Sequence, residues 1–171
     1  MITLVRHPPV DAGGRCYGRL DLAVADPATA MALADRLKPL DGTIWTSPAR
    51  RCRIVADALG GHCVDERLQE LDFGEWEGVS WDDVPRASLD AWAADPWGFA
   101  PPGGESGRAL VARVTPFARL CAEGDHVVIS HGGPLKVLAS VLLGEPIRLL
   151  SAPPAPGAVT YIRAHGSASA G

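Results

Sequence analysis

The sequence has no long apolar run, no basic tract, no paired-cysteine motif and no internal repeat. Each absence excludes a class of protein. No stretch is long enough to cross a bilayer, and the apolar start, Ile2 to Val5, meets a charge at Arg6 too soon for a secretory signal. A cytoplasmic protein without membrane contact is the expectation. The four cysteines, Cys16, Cys52, Cys63 and Cys121, are widely and irregularly spaced, with no CxxC pair. No metal site and no disulfide framework is therefore expected, and the thiols read as small buried or half-buried side chains. The formal net charge is −4, and the strongest basic cluster is Arg50, Arg51 and Arg53. That cluster is too small to track a nucleic-acid backbone, so nucleic acid is not an expected partner.

What the sequence does contain is a soluble globular balance: 171 residues, 47% hydrophobic and 21% charged, enough for one domain with a sizeable core. The domain is expected over 1–164, with the Gly-Ser-Ala-Ser-Ala-Gly end making 165–171 a flexible tail. Apolar runs at Ile2–Val5, Gly42–Thr46, His62–Asp65, His126–Ser130 and Ala158–Arg163 read as strands. Helical spacing runs from Pro27 to Leu40, with Asp26 as cap, and from Pro48 to Leu59, with Ser47 as cap. Further helices are expected from Ser80, where Ser80 and Asp83 resemble a capping box, from Glu105 to Ala122 around an internal Pro116, and from Leu135 to Leu143. Alternating strands and helices predict an α/β fold with a mainly parallel sheet, and 68–104 reads as an insertion over the active-site edge.

Chemistry concentrates where strands stop. The first apolar run ends in Arg6-His7, and Pro8-Pro9 forbid it to continue. Ligands of open α/β sheets bind outside the C-terminal strand ends. Thr46-Ser47-Pro48 leads to Arg51, and Ser130 leads to His131, Gly132 and Gly133 before a helix N-terminus, whose N–H groups could receive an anion. Two guanidiniums fork phosphate oxygens, and an imidazole among cations keeps its lone pair for attack on phosphorus. The Gly-rich loop after the first strand offers Tyr17, Arg15 and Arg19 to a ligand. A leaving oxygen needs a proton, and Glu70 is the attractive donor, with Asp72, Glu75 and Glu77 as rivals on composition alone.

Five segments in order resemble the histidine phosphatase superfamily, the phosphoglycerate-mutase-like group. They are LVRH, TSPARRCRIVADAL, LQELDFGEWEG, PGGES and ISHGGPLKVL, spanning residues 2 to 143. The resemblance implies a three-layer sandwich with helices flanking the sheet. It places His7 on the phosphorylated nucleophile, Arg6, Arg51 and His131 on the phosphate pocket, and Glu70 on the proton donor. It implies no cofactor and no metal, a small phosphate ester as substrate, and a monomer or homodimer. Pro8 stands where the family has glycine, Ala49 where it has leucine and Val55 where it has threonine. The Thr-x-x-Asn that often follows Arg-His is absent, which removes one phosphate ligand. The loop CYGRLDLAVA looks more like the alpha-ribazole phosphatase branch of cobalamin synthesis. The leading expectation is a metal-independent phosphatase working through a phosphohistidine on His7, with alpha-ribazole 5'-phosphate as candidate substrate. Tyr17, Arg19 and Gly132 are the expected substrate contacts. The alternatives are a phosphoglycerate mutase-type phosphotransferase, for which this short chain has little to form a lid, and a phosphate-binding module without turnover.

Overall fold

The computed structural model describes residues 1–163; the tail expected at 165–171 lies outside the described residues. Five strands, β1 (Ile2–Arg6), β2 (Thr43–Thr46), β3 (Cys63–Val64), β4 (His126–Ser130) and β5 (Val159–Ile162), form one sheet in the order β3-β2-β4-β1-β5. All neighbours are parallel except β5, which runs antiparallel to β1. Five helices complete the fold: α1 (Pro27–Leu37), α2 (Arg50–Leu59), α3 (Arg86–Ala94), α4 (Gly107–Leu120) and α5 (Gly132–Leu143).

Alternation along the strands splits the core into two faces. Ile2, Leu4 and Val128 pack against Leu110, Val114 and Phe117 of α4 and Leu135 and Leu138 of α5. Val5, Val127 and Ile129 face the other way, onto Leu33 and Leu37 of α1 and Cys52 and Val55 of α2. Helices on both faces of a mostly parallel sheet make the three-layer sandwich. A third, smaller cluster gathers Cys16, Trp76 and Val84 with Phe73, Trp81, Trp92 and Phe99. Apart from Cys16, from the loop after β1, it lies in the stretch between β3 and α4, which carries single-turn 3₁₀ helices at Glu66–Leu68 and Gly74–Trp76 as well as α3. No described helix is long and apolar enough to cross a membrane.

Several helix starts differ from the sequence reading. Asp26 caps α1 by accepting from the Ala28 N–H, but the helix stops at Leu37 rather than Leu40. Ser47 does not cap α2: its backbone continues the extended chain, donating to Ile129 O at 3.0 Å, and its hydroxyl lies 2.8 Å from His131. The Arg50 N–H in the first turn of α2 instead reaches Asp21 Oδ1 at 2.8 Å. Ser80 and Asp83 form only a turn, because Pro85 interrupts the chain and α3 begins after it. The last helix begins three residues early, so Gly132 and Gly133 lie inside α5.

Phe117 anchors the α4 layer. It is fully buried, meets the Trp45 ring edge-on at 5.4 Å, and carries the Arg67 guanidinium over its face at 5.3 Å. Phe117→Ala is expected to destabilise the protein by about 3–5 kcal/mol, read as a fall in the urea midpoint with little change in slope.

Candidate active site

Strand register brings the tips of β1, β2 and β4 together. Arg6 of β1 lies opposite Ser130 of β4, and Thr46 of β2 lies opposite Ile129. The ladder runs one step past the strand ends, with the His7 N–H donating to Ser130 O at 3.0 Å. His7 and His131 consequently meet edge to face, ring centroids 5.1 Å apart, at the carboxyl ends of adjacent parallel strands.

The His7 ring is 1% exposed, and its Nδ1 donates to the Pro8 carbonyl across 2.6 Å. A carbonyl only accepts, so that bond places the proton on Nδ1 and leaves the Nε2 lone pair without a hydrogen-bond partner among the described residues. Burial, reinforced by the Arg51 and Arg6 charges, pushes the imidazole down from 6.5 to about 3, although the bond to Pro8 works the other way. His131, equally buried, is held well below its ordinary value, chiefly by burial and then by Arg51. Its Nδ1 accepts from Arg51 Nε at 3.3 Å, so its Nε2 is the protonated nitrogen and donates to the Ser47 hydroxyl at 2.8 Å. Cys52 Sγ lies 3.6 Å from the same nitrogen; burial pushes that thiol up to about 12 and keeps it inert. Cys16 and Cys121 are also buried, whereas Cys63, expected to be buried or half-buried, is exposed.

Arg51 is a fully buried guanidinium whose Nη1 and Nη2 donate to Leu20 O at 3.0 Å and Gly18 O at 2.6 Å. Tyr17 places its ring 5.3 Å from the same guanidinium carbon. Arg6 donates to Pro154 O, while its Nε is buried with no acceptor among the described residues. A buried, unpaired cationic donor in a cleft is a standing demand for an anion.

Glu70 rests on the N-terminus of α5, where its oxygens take the Gly133 N–H at 3.1 and 3.3 Å. The sequence reading left that N–H free for a ligand. The structure corrects this: the anion at the helix start is the protein's own carboxylate. A Cβ at Gly133 would lie 2.3 Å from Glu70 Oε1, so only glycine permits this docking. Of the acids at 70, 72, 75 and 77, only Glu70 lines the main cleft. Glu77 turns away and accepts four backbone N–H groups, from Gly18, Arg19, Leu20 and Phe73, at 2.8–3.0 Å. It thereby fixes the loop whose carbonyls hold Arg51. Arg19, expected to meet substrate, instead bonds Glu70 O at 3.0 Å and Gln69 Oε1 at 2.5 Å. It lines a smaller neighbouring opening of about 200 Å³ rather than the main cleft. Arg113, which sequence reasoning missed, donates to the same Glu70 carbonyl at 3.0 Å while paired with Glu105.

Of these groups, Arg6, His7, Tyr17, Glu70 and Gly132 line a cleft of about 320 Å³, His131 lines the smaller opening that also touches Glu70, and Arg51 lies buried behind them. Among the described residues no cluster of His, Cys, Asp and Glu is arranged to hold a metal ion. Family comparison agrees with this geometry: the model of the histidine phosphatase superfamily (branch 1) matches residues 2–169. The chain belongs to that superfamily.

Within the superfamily, the chain is 31% identical over 172 residues to a glucosyl-3-phosphoglycerate phosphatase of Mycolicibacterium vanbaalenii, covering 85% of this chain and 75% of that one. It is 34% identical over 166 residues to a 2,3-bisphosphoglycerate-dependent phosphoglycerate mutase of Rhizobium meliloti, covering 82% and 78%. The crystal structure of the alpha-ribazole phosphatase from Shigella flexneri aligns with a TM-score of 0.82 over 92% of this chain and 87% of that one. At 24% identity this last likeness supports the fold alone. The superfamily's Arg-His-Gly is Arg-His-Pro here. The group that orients His7 is a backbone carbonyl, which proline retains, so the exchange leaves that bond intact.

Two buried neutral histidines make stability depend on pH. Their folded pKa values lie below the unfolded value near 6.5, so below that pH the unfolded chain binds more protons and gains the advantage. Unfolding free energy should therefore fall as pH drops from 6.5 toward 3, by up to about 1.4 kcal/mol per pH unit for each histidine. Urea titrations of wild type and His7→Asn between these pH values check this; the variant should show the shallower slope.

Proposed function

We propose that this chain is a phosphoric monoester hydrolase that forms a phosphohistidine on His7. The observation that carries the reading is the His7–Pro8 bond, which leaves a buried, unprotonated Nε2 beside Arg6, Arg51 and His131. In the first step Nε2 attacks phosphorus while the bond from phosphorus to the ester oxygen breaks. Arg6, with its unpaired Nε, and the remaining N–H groups of Arg51 offset charge on the equatorial oxygens. Glu70 lines the same cleft and donates a proton to the departing alkoxide. In the second step Glu70, now a carboxylate, takes a proton from water, which attacks phosphorus and breaks the P–N bond. Inorganic phosphate leaves, and His7 and Glu70 return to their starting states. No step calls for a metal, because guanidiniums supply the positive charge.

Alpha-ribazole 5'-phosphate is the substrate suggested by the loop Cys16–Ala25, and the cytoplasm is the expected compartment. The mycobacterial relative's name offers glucosyl-3-phosphoglycerate as an alternative. The mutase among the relatives keeps phosphotransfer open as a second reading: a mutase returns the phosphoryl group to an organic acceptor instead of to water. Release of inorganic phosphate, against isomerisation of phosphoglycerate, separates the two.

His7→Ala should lower phosphate release from a screened ester by on the order of 10³-fold or more. Rapid acid-free quenching of the wild type with labelled ester should trap an acid-labile, alkali-stable phosphoprotein that the variant lacks. Wild-type turnover should persist in excess chelator. Normal turnover by His7→Ala, or complete loss of rate on chelation, would contradict the proposal.

A further inference from the structure

Beyond its phosphate end the cleft is walled by rings and aliphatic side chains. Phe73 meets Trp81 and Trp92 edge-on, at 5.7 and 5.8 Å, and the two indoles lie nearly parallel, 7° apart in plane with centroids at 6.3 Å. Tyr17 adds a fourth ring to the same lining, and Leu149 and Leu150 also face it. The rings cannot easily swing away, because the wall is packed on buried Trp76 and Val84. Among the described lining residues outside the phosphate end there is one charged side chain, Lys136. Its ammonium is tied to the carbonyls of Leu149, and of Ser151 at 2.8 Å, which holds the aliphatic wall in place. Two of its three N–H groups are thereby directed at the wall and away from the cleft's ring end.

We infer that the leaving group is planar and apolar: the substrate class is a phosphate monoester of an alcohol that bears an aromatic ring, seated on Phe73, Trp81 and Trp92. This rests on the phosphatase reading above and adds the determinant of specificity to it. Aromatic faces and edges recognise a ring without hydrogen bonds, and burial of its apolar surface supplies the discrimination. At about 320 Å³ the cleft lies near the small end of ligand pockets, which suits a compact ring system and not an extended glycan.

The test compares 2-phenylethyl phosphate with ethyl phosphate, whose leaving alcohols differ little in acidity, and includes 3-phosphoglycerate as a polar, doubly anionic ester. The phenylethyl ester should exceed the ethyl ester in kcat/KM by about 10- to 100-fold, the gain expected from burying a phenyl ring. Trp92→Ala should reduce that ratio about tenfold and Trp92→Phe should restore most of it. Leu149→Ala, on the wall away from the aromatic cluster, should also reduce the ratio, which guards against a folding defect in the tryptophan variant. A wild-type ratio near one, or a preference for 3-phosphoglycerate, would overturn the inference while leaving the phosphatase reading in place. No turnover of any of the three esters would overturn the inference, and only the further absence of phosphate release from every screened ester, alpha-ribazole 5'-phosphate included, would overturn the phosphatase reading itself.

Discussion

The site depends on one short hydrogen bond, from His7 Nδ1 to the carbonyl of the next residue, 2.6 Å away. An imidazole has two nitrogens and, when neutral, one proton; whichever nitrogen is bonded to a carbonyl must carry it. Everything else in the cleft presupposes that the other nitrogen is bare. Burial then keeps it bare, because a protonated ring at that depth would lack water and would face two guanidiniums. The proline at position 8 removes a backbone N–H but not the acceptor.

Around that bond the protein fixes Arg51 and Glu70 largely through backbone atoms, and His131 through the Arg51 and Ser47 side chains. Arg51 is held by the carbonyls of Gly18 and Leu20, and the N–H groups of the same loop are gathered by Glu77. Gly18 belongs in that loop because a Cβ there would lie 1.9 Å from Leu71 O. Glu70 is fixed at both ends: its carbonyl takes Arg19 and Arg113, and its carboxylate takes the start of α5. Such backbone anchoring pre-orients charge before any ligand arrives, which is the condition for stabilising a transition state without reorganisation.

The convergence of residues 6, 7, 51 and 131 was legible in the sequence because Arg6 ends a strand, His7 and His131 directly follow one, and Arg51 lies in the first turn of the helix after β2, while parallel strands align their tips. Strand β4 lies at the residues its apolar pattern predicts, since a fully buried strand has no competing period. Ser47 and Ser80 look like helix caps in sequence, yet a ring nitrogen and a following proline redirect them. Glu77, Arg113 and Gly133 were less legible for a different reason. Their partners lie 4 to 63 residues away, mostly on loops, and no periodicity announces a loop's return. The bonds of Arg19 were hidden on the same ground: its position after the Arg-His tip was clear, but its attachment to the Glu70 segment was not.

The most direct measurement is nitrogen NMR of protein labelled in its imidazole rings, followed from about pH 8 to about pH 5. The account predicts that His7 stays neutral across that range with its proton on Nδ1 and an unprotonated Nε2. A ring that titrates near 6.5, or one that carries its proton on Nε2, would contradict it.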